Sequence, residues 1–499
     1  MTAPHGTGRP GPDREPLRTP APAAPPTATA PSVTAPSITA PPAAGASVAE
    51  PPAAGTSAAV PPATGPRERA GQVSELILDK LADPATTMAA TRIPAEASDD
   101  GEDEGIWAEM TLGSGSPGLA IAFSGAARPG TDRTARAHGY LAVATRAAGT
   151  GDTAPSGIFK GPGALAFAVL LAHRATGGYV SALRRLDGYQ RELVRTALPA
   201  VPQDSPLPTI GHYELVRGMT GVGRYLLARV GTCGEELETV LAYLVRLAQG
   251  EVEHRGHKVP RWWALDAPRI GAEHRLPDGH LNLGLSHGVA GPLALLSTAW
   301  SQGVRVPGQR EAIESAAGLL TRWAVRDGHG VFWPPHLSLT EWLAGPDAFA
   351  EPAGWPSWCY GAPGVSRGLQ LAGLALDRTD WTGTAKASAE RLLALPMERW
   401  GINDHALCHG WAGALHQLGR LNEHMGDERI AALRDRIAAR LVADFDPELP
   451  FGHRFTMTKV PFGTDVSGYL DGAAGVALAL DSYSVGGTPS DWDMPLLLS

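Results

Sequence analysis

One short form recurs seven times along the chain: a small-residue turn, a glycine, two residues, a small residue, then an apolar run. The copies read GSPGLAIAF from Gly115, GPGALAFAVLLA from Gly161, GMTGVGRYLLA from Gly218, GVAGPLALLS from Gly288, GAPGVSRGLQLAG from Gly361, GWAGALHQLGRL from Gly410 and GAAGVALAL from Gly472. Their leading glycines stand 46, 57, 70, 73, 49 and 62 residues apart, a spacing that fits one helical hairpin per repeat with outer loops of variable length. Each run after the GxxG is apolar on nearly every side, as a helix buried all round must be. The stretches between, such as ESAAGLLTRWAVRDG and RIAALRDRIAARLVADF, are amphipathic and suit an outer layer. Seven inner and seven outer helices predict an all-α fold, a closed α/α toroid, with an open α-solenoid as the alternative.

Composition separates this folding part from a tail. Of the 44 prolines, 17 fall in residues 1–66, within a Pro/Ala/Ser/Thr sequence that echoes itself as PPAAGASVAE, PPAAGTSAAV and PPATG. Such a stretch buries too little apolar surface to offset its chain entropy, so residues 1–72 are expected to be a disordered tail and 73–499 a single domain. A second acidic stretch, ASDDGEDEG at 97–105, reads as a loop. The net charge of −9 and the absence of a basic block argue against nucleic-acid binding. The N-terminus has no apolar h-region, and no apolar stretch approaches the ~18–20 residues a bilayer requires. Three cysteines make no disulfide framework, so the thiols are expected to be reduced in a cytoplasmic protein.

If the repeats are equivalent, the two residues before each leading glycine share one structural slot at one end of the ring. The slot holds Gly113-Ser114, Phe159-Lys160, Val216-Arg217, Ser286-His287, Cys359-Tyr360, Cys408-His409 and Leu470-Asp471. Two of the three cysteines and two histidines collect there. Cys359, Cys408 and His409 form a Cys₂His set, three ligands with a fourth position free, which zinc accepts at catalytic sites. On spacing alone, two cysteines packed as small hydrophobes beside a satisfied histidine remain an equal reading.

The motifs GLSHG (284–288), WCYGAPG (358–364) and CHGWAG (408–413), in this order on GxxG repeats, resemble the lanthionine synthetase C family of lanthipeptide cyclases, from about residue 73 to the C-terminus. The resemblance implies Zn²⁺ on Cys359, Cys408 and His409. It also implies addition of peptide cysteine thiols to dehydroalanine or dehydrobutyrine, giving thioether rings. His287 matches the family's general acid/base histidine and Tyr360 its WCYG tyrosine. Glu214, in His212-Tyr213-Glu214, stands where the family has an aspartate; a carboxylate there could orient His287, with the longer side chain placing its reach in question. The partners implied are a dehydrated precursor peptide, a separate dehydratase and an exporter, through which the protein would lie peripheral to the membrane.

One departure stands out: Trp355 occupies the position where family members often carry an arginine four residues before the WCYG cysteine. Arg217 is a candidate substitute, with an ion pair as its ordinary role; Lys160 and Asp471 share the slot as weaker candidates. Cys233 reads as a turn residue without a role. Histidines 254, 257, 274 and 280 read as loop residues, lining a peptide groove with Trp262 and Trp263. Three other functions compete with the cyclase. These are addition of glutathione to dehydrated residues of proteins, a zinc-bearing adaptor without activity, and a glycosidase, for which the slot supplies only Asp471 where two carboxylates are needed.

Overall fold

In the computed structural model, which describes residues 65–95, 104–148, 157–200, 207–266, 276–348, 356–457 and 460–499, every GxxG segment starts a buried helix. These inner helices are Ser116–Gly125, Gly161–Thr176, Met219–Ala228, Ala290–Ser301, Ala362–Ala375, Trp411–Met425 and Ala473–Val485. Each packs against the next, and Ala473–Val485 returns to pack on Ser116–Gly125, so the ring closes. The composition explains the placement: Ala473–Val485 is buried without a polar side chain from Ala473 through Leu480, as suits a helix enclosed on every side.

Six amphipathic helices surround the ring in sequence order: Arg133–Ala148, Val180–Ala200, Val230–Ala248, Gln309–Arg322, Thr379–Ala394 and Glu428–Ala443. The seventh outer position, against Ala473–Val485, is filled from the other end of the chain by Pro66–Lys80. Ser74 Oγ donates to the Ala477 carbonyl at 2.8 Å across that contact. This helix begins ahead of the composition break at Gly71, inside the stretch that composition assigns to the tail. Residues 1–64 of that tail lie outside the described residues.

A belt of backbone hydrogen bonds runs round one end of the ring and joins the turns before the inner helices. Leu112 N donates to Phe159 O, Ile158 to Val216, Leu215 to Ser286, Leu285 to Cys359, Trp358 to Cys408, Cys408 to Leu470 and Leu470 to Gly113, at 2.9–3.3 Å. The slot residues of successive repeats are therefore neighbours in space. The second glycine of the motif permits this turn. At Gly364 and Gly413 an added Cβ would collide with the carbonyls of Trp358 and Leu407, six residues earlier. The same comparison corrects the register of the second repeat. Gly163 meets the carbonyl of Gly157, so Lys160, the N-cap of its helix, takes the leading-glycine position and leaves the slot to Ile158-Phe159.

The segment Trp492–Leu498 is buried across the inner helices. Leu496 O accepts from the Trp358 indole N–H at 2.9 Å, Leu498 O from Arg367 Nε at 3.0 Å, and Ser499 O from Arg224 Nη2 at 3.0 Å. Asp493, fully buried, accepts from His416 Nε2 at 2.8 Å and from Arg420 Nε and Nη2 at 2.7 Å. Asp493→Ala removes the buried carboxylate that Arg420 and His416 share, leaving Arg420 only the more exposed Glu423 and Asp491. Urea unfolding should show a loss of about 3–5 kcal/mol, the usual cost of breaking a buried pair from one side. A loss under about 1 kcal/mol would show that this segment does not brace the ring.

Short strands form five two-stranded antiparallel ribbons among the described residues, inserted between or beside the repeats. His254 and His257 belong to the ribbon Glu251–His254 with His257–Pro260, and His280 to His280–Asn282 paired with His336–Ser338. Trp262 and Trp263 do not line a groove: both are core residues, the first packed edge-on against Tyr213 and the second donating its indole N–H to Asp278 O at 2.9 Å. His274 lies outside the described residues. Cys233 is buried at a non-helical kink inside Val230–Ala248. No helix among the described residues is long and apolar enough to cross a membrane.

Two fully buried histidines make the fold acid-sensitive. Burial, with His336 beside it, holds His280 down at about 4; burial, with His405 beside it, does the same to His453. An unfolded histidine takes its proton near pH 6.5, so the unfolded state binds more protons between those values and stability falls as the pH falls through them. Each histidine should cost about 2 kcal/mol between about pH 7.5 and about pH 5. The urea midpoint should drop over that range, and His453→Phe should flatten the slope.

Candidate metal centre

The belt brings the slot residues of the fourth to seventh repeats into one arc. Cys359 and Cys408 Sγ stand 3.6 Å apart, with the Cys408 thiol donating to the Cys359 sulfur. Two thiolates at ~2.3 Å from a tetrahedral zinc ion would be roughly 3.8 Å apart, so this pair needs little movement to share one. Donation from Cys408 is the main reason the Cys359 thiol is drawn down to about 6, against the burial that opposes it; Ser357 Oγ, 3.5 Å away, adds to the effect. Cys408, as the donor and with its burial, is pushed up.

Cys408, His409 and Asp471 offer ligand atoms within 4.8 Å of one another, the one group of this kind among the described residues. His409 Nε2 lies 3.1 Å from Asp404 Oδ2. Burial pulls the His409 imidazole down, but the Asp404 carboxylate outweighs it and the net shift is upward. Asp404 is buried yet stays below the usual carboxylate range, because His409 and backbone N–H groups stabilise its charge. Its Oδ1 accepts from the N–H groups of His405 at 2.5 Å and Ala406 at 3.0 Å, and its Oδ2 from Thr456 at 3.2 Å. With Nε2 engaged, Nδ1 is the nitrogen free to bind a cation, and the carboxylate fixes the ring as such partners do at metal sites. Burial raises the Asp471 carboxyl.

In the fourth repeat, one before that of Cys359, His287 Nδ1 stands 2.5 Å from Glu214 Oε2. Glu214 is wholly buried at the end of the short helix Ile210–Tyr213, and its other oxygen accepts from the backbone N–H groups of Arg217 and Gly218. The extra methylene of glutamate therefore does not prevent contact with His287. Tyr360 packs 6.2 Å from the His287 ring, centroid to centroid, and its hydroxyl accepts from Asn282 Nδ2 at 3.1 Å. Burial raises the Tyr360 hydroxyl, so it stays protonated.

The comparisons give the family and the fold. Residues 106–497 match the family model described as lanthionine synthetase C-like protein. The chain belongs to the lanthionine synthetase C-like family. Within that family it is 20% identical over 398 residues to the nisin biosynthesis protein NisC of Lactococcus lactis subsp. lactis, covering 78% of this chain and 89% of the relative. It also matches the solved structure of nisin cyclase with a TM-score of 0.65 and 19% identity, over 79% of this chain and 93% of that one. That likeness supports the toroid.

The remaining residues of the LanC-like mouth are less tightly drawn in. The Arg217 guanidinium lies over Gly211, and Lys160 is exposed outside the slot. Trp355 lies outside the described residues. Sequence reasoning missed Asp404 and Asn282. The only signal for Asp404 was an acidic residue at the start of the turn leading to CHG, where its oxygens could cap the N–H groups that follow.

Proposed function

We propose that this protein is a zinc-dependent peptide cyclase that forms lanthionine and methyllanthionine rings in a dehydrated precursor peptide. The observation that carries the reading is the convergence of two sulfurs 3.6 Å apart, supplied by neighbouring repeats, with the His287–Glu214 pair on the next turn of the belt. Cys359, Cys408 and Nδ1 of His409 suit zinc by donor type, and Asp404 orients the imidazole. Zinc held there supplies a Lewis acid that lets a peptide thiol shed its proton near neutral pH.

The reaction joins the cysteine sulfur to the β-carbon of the dehydrated residue, and the π electrons move to the α-carbon and its carbonyl as an enolate. The thiol's proton must leave sulfur and a proton must arrive at the α-carbon. His287 suits both transfers: its Nδ1–H donates to Glu214, which leaves Nε2 as the basic nitrogen. Tyr360 holds its proton and can donate a hydrogen bond to the enolate oxygen. The precursor would come from a separate dehydratase and leave by an exporter, placing the protein in the cytoplasm at the membrane face. Incubation with a dehydrated lanthipeptide precursor tests the reading: free thiols counted by alkylation and mass spectrometry should disappear with no change in peptide mass. Thiols that persist with metal-loaded protein would contradict it.

A further inference from the structure

The direction of one buried hydrogen bond decides what Tyr360 can do. Asn282 ends the strand His280–Asn282 and is fully buried. Its side-chain oxygen is identified by chemistry: it faces the backbone N–H of Gly284 at 3.0 Å, a donor that only an oxygen can meet. The other amide atom, 3.1 Å from the Tyr360 hydroxyl, is therefore the nitrogen, and it donates. The hydroxyl oxygen is the acceptor in this contact, so its own hydrogen is left to point elsewhere. The close approach is built in, because a Cβ at Gly284 would press on the Cys359 carbonyl and the Tyr360 ring.

We infer that Asn282 is a positioning residue that sets the polarity of the Tyr360 hydroxyl, making it a donor toward the reacting peptide instead of a donor into the protein. This rests on the proposed cyclase reading for its effect on rate, although the hydrogen-bond direction does not. Asn282→Asp tests it at nearly constant shape. One aspartate oxygen still accepts from Gly284 N–H, while the other can only accept and so draws the Tyr360 hydrogen away from the site.

With a synthetic peptide bearing one dehydroalanine and one cysteine, Asn282→Asp and Tyr360→Phe should each slow ring formation about 10²-fold through kcat, with KM little changed. The double variant should be no slower than either single one. Multiplying losses, or wild-type turnover by Asn282→Asp when Tyr360→Phe is slow, would overturn the inference. Tyrosine labelled with ¹³C at Cζ gives a readout that needs no turnover. The resonance missing from Tyr360→Phe should move in Asn282→Asp. An unmoved resonance overturns the inference, whereas a moved one without ring formation in the wild type would count against the cyclase reading alone.

Discussion

Cys408→Ala should lose its metal and its ring-forming activity together. The residue occupies two roles at once, partner to Cys359 at 3.6 Å and member of the Cys408, His409 and Asp471 group. Its removal takes away the one residue that belongs to both the sulfur pair and the Cys408, His409 and Asp471 group, leaving Cys359 as the single sulfur. Metal affinity should fall by more than the about 10–100-fold that loss of an orienting partner costs. Asp404→Asn supplies that smaller reference, since it keeps every proposed ligand and removes the charge behind His409. The fold should survive both changes, because the ring is held by the buried helices and the backbone belt. Elemental analysis of dialysed protein, with circular dichroism as a control, checks each point. Full metal content in Cys408→Ala would remove it from the ligand set.

His287→Ala should behave differently, keeping its metal and forming rings about 10²–10⁴-fold more slowly, the usual contribution of a positioned acid or base. The imidazole belongs to the fourth repeat and meets the protein through Glu214, while Cys359, Cys408 and His409 come from the fifth and sixth. Glu214→Gln should reproduce part of the loss, because an amide cannot stabilise the imidazolium that forms during the transfer. Rates with the dehydrated precursor, measured beside metal content, separate the two effects. An alanine variant that cyclises at the wild-type rate would take His287 out of the chemistry.

Much of this was legible in the chain because the repeat has a physical cause. The glycine at which an added Cβ would strike the turn recurs at fixed distance from the apolar run, so helix starts, inner faces and the slot could be read by position. The readings failed where position and contact separate. Lys160 left the slot because the second repeat is offset by one residue, visible only as the collision at Gly163. Pro66–Lys80 completes the outer layer from the far end of the chain, which no local pattern announces. Trp262 and Trp263 resemble groove residues in sequence and are core residues in space. Asn282 and Asp404 act through side-chain hydrogen bonds to residues far along the chain or beyond a turn, and such pairings leave no periodic trace.

Cobalt(II) placed in the metal-free protein probes the thiolate set without any turnover. The wild-type spectrum should show sulfur-to-cobalt charge transfer that weakens in Cys359→Ala and in Cys408→Ala, and it should intensify when a small thiol is added, reporting a further sulfur entering a free position. A spectrum with no sulfur contribution, or one that added thiol leaves untouched, would contradict a shared ion that two repeats hold open for the substrate.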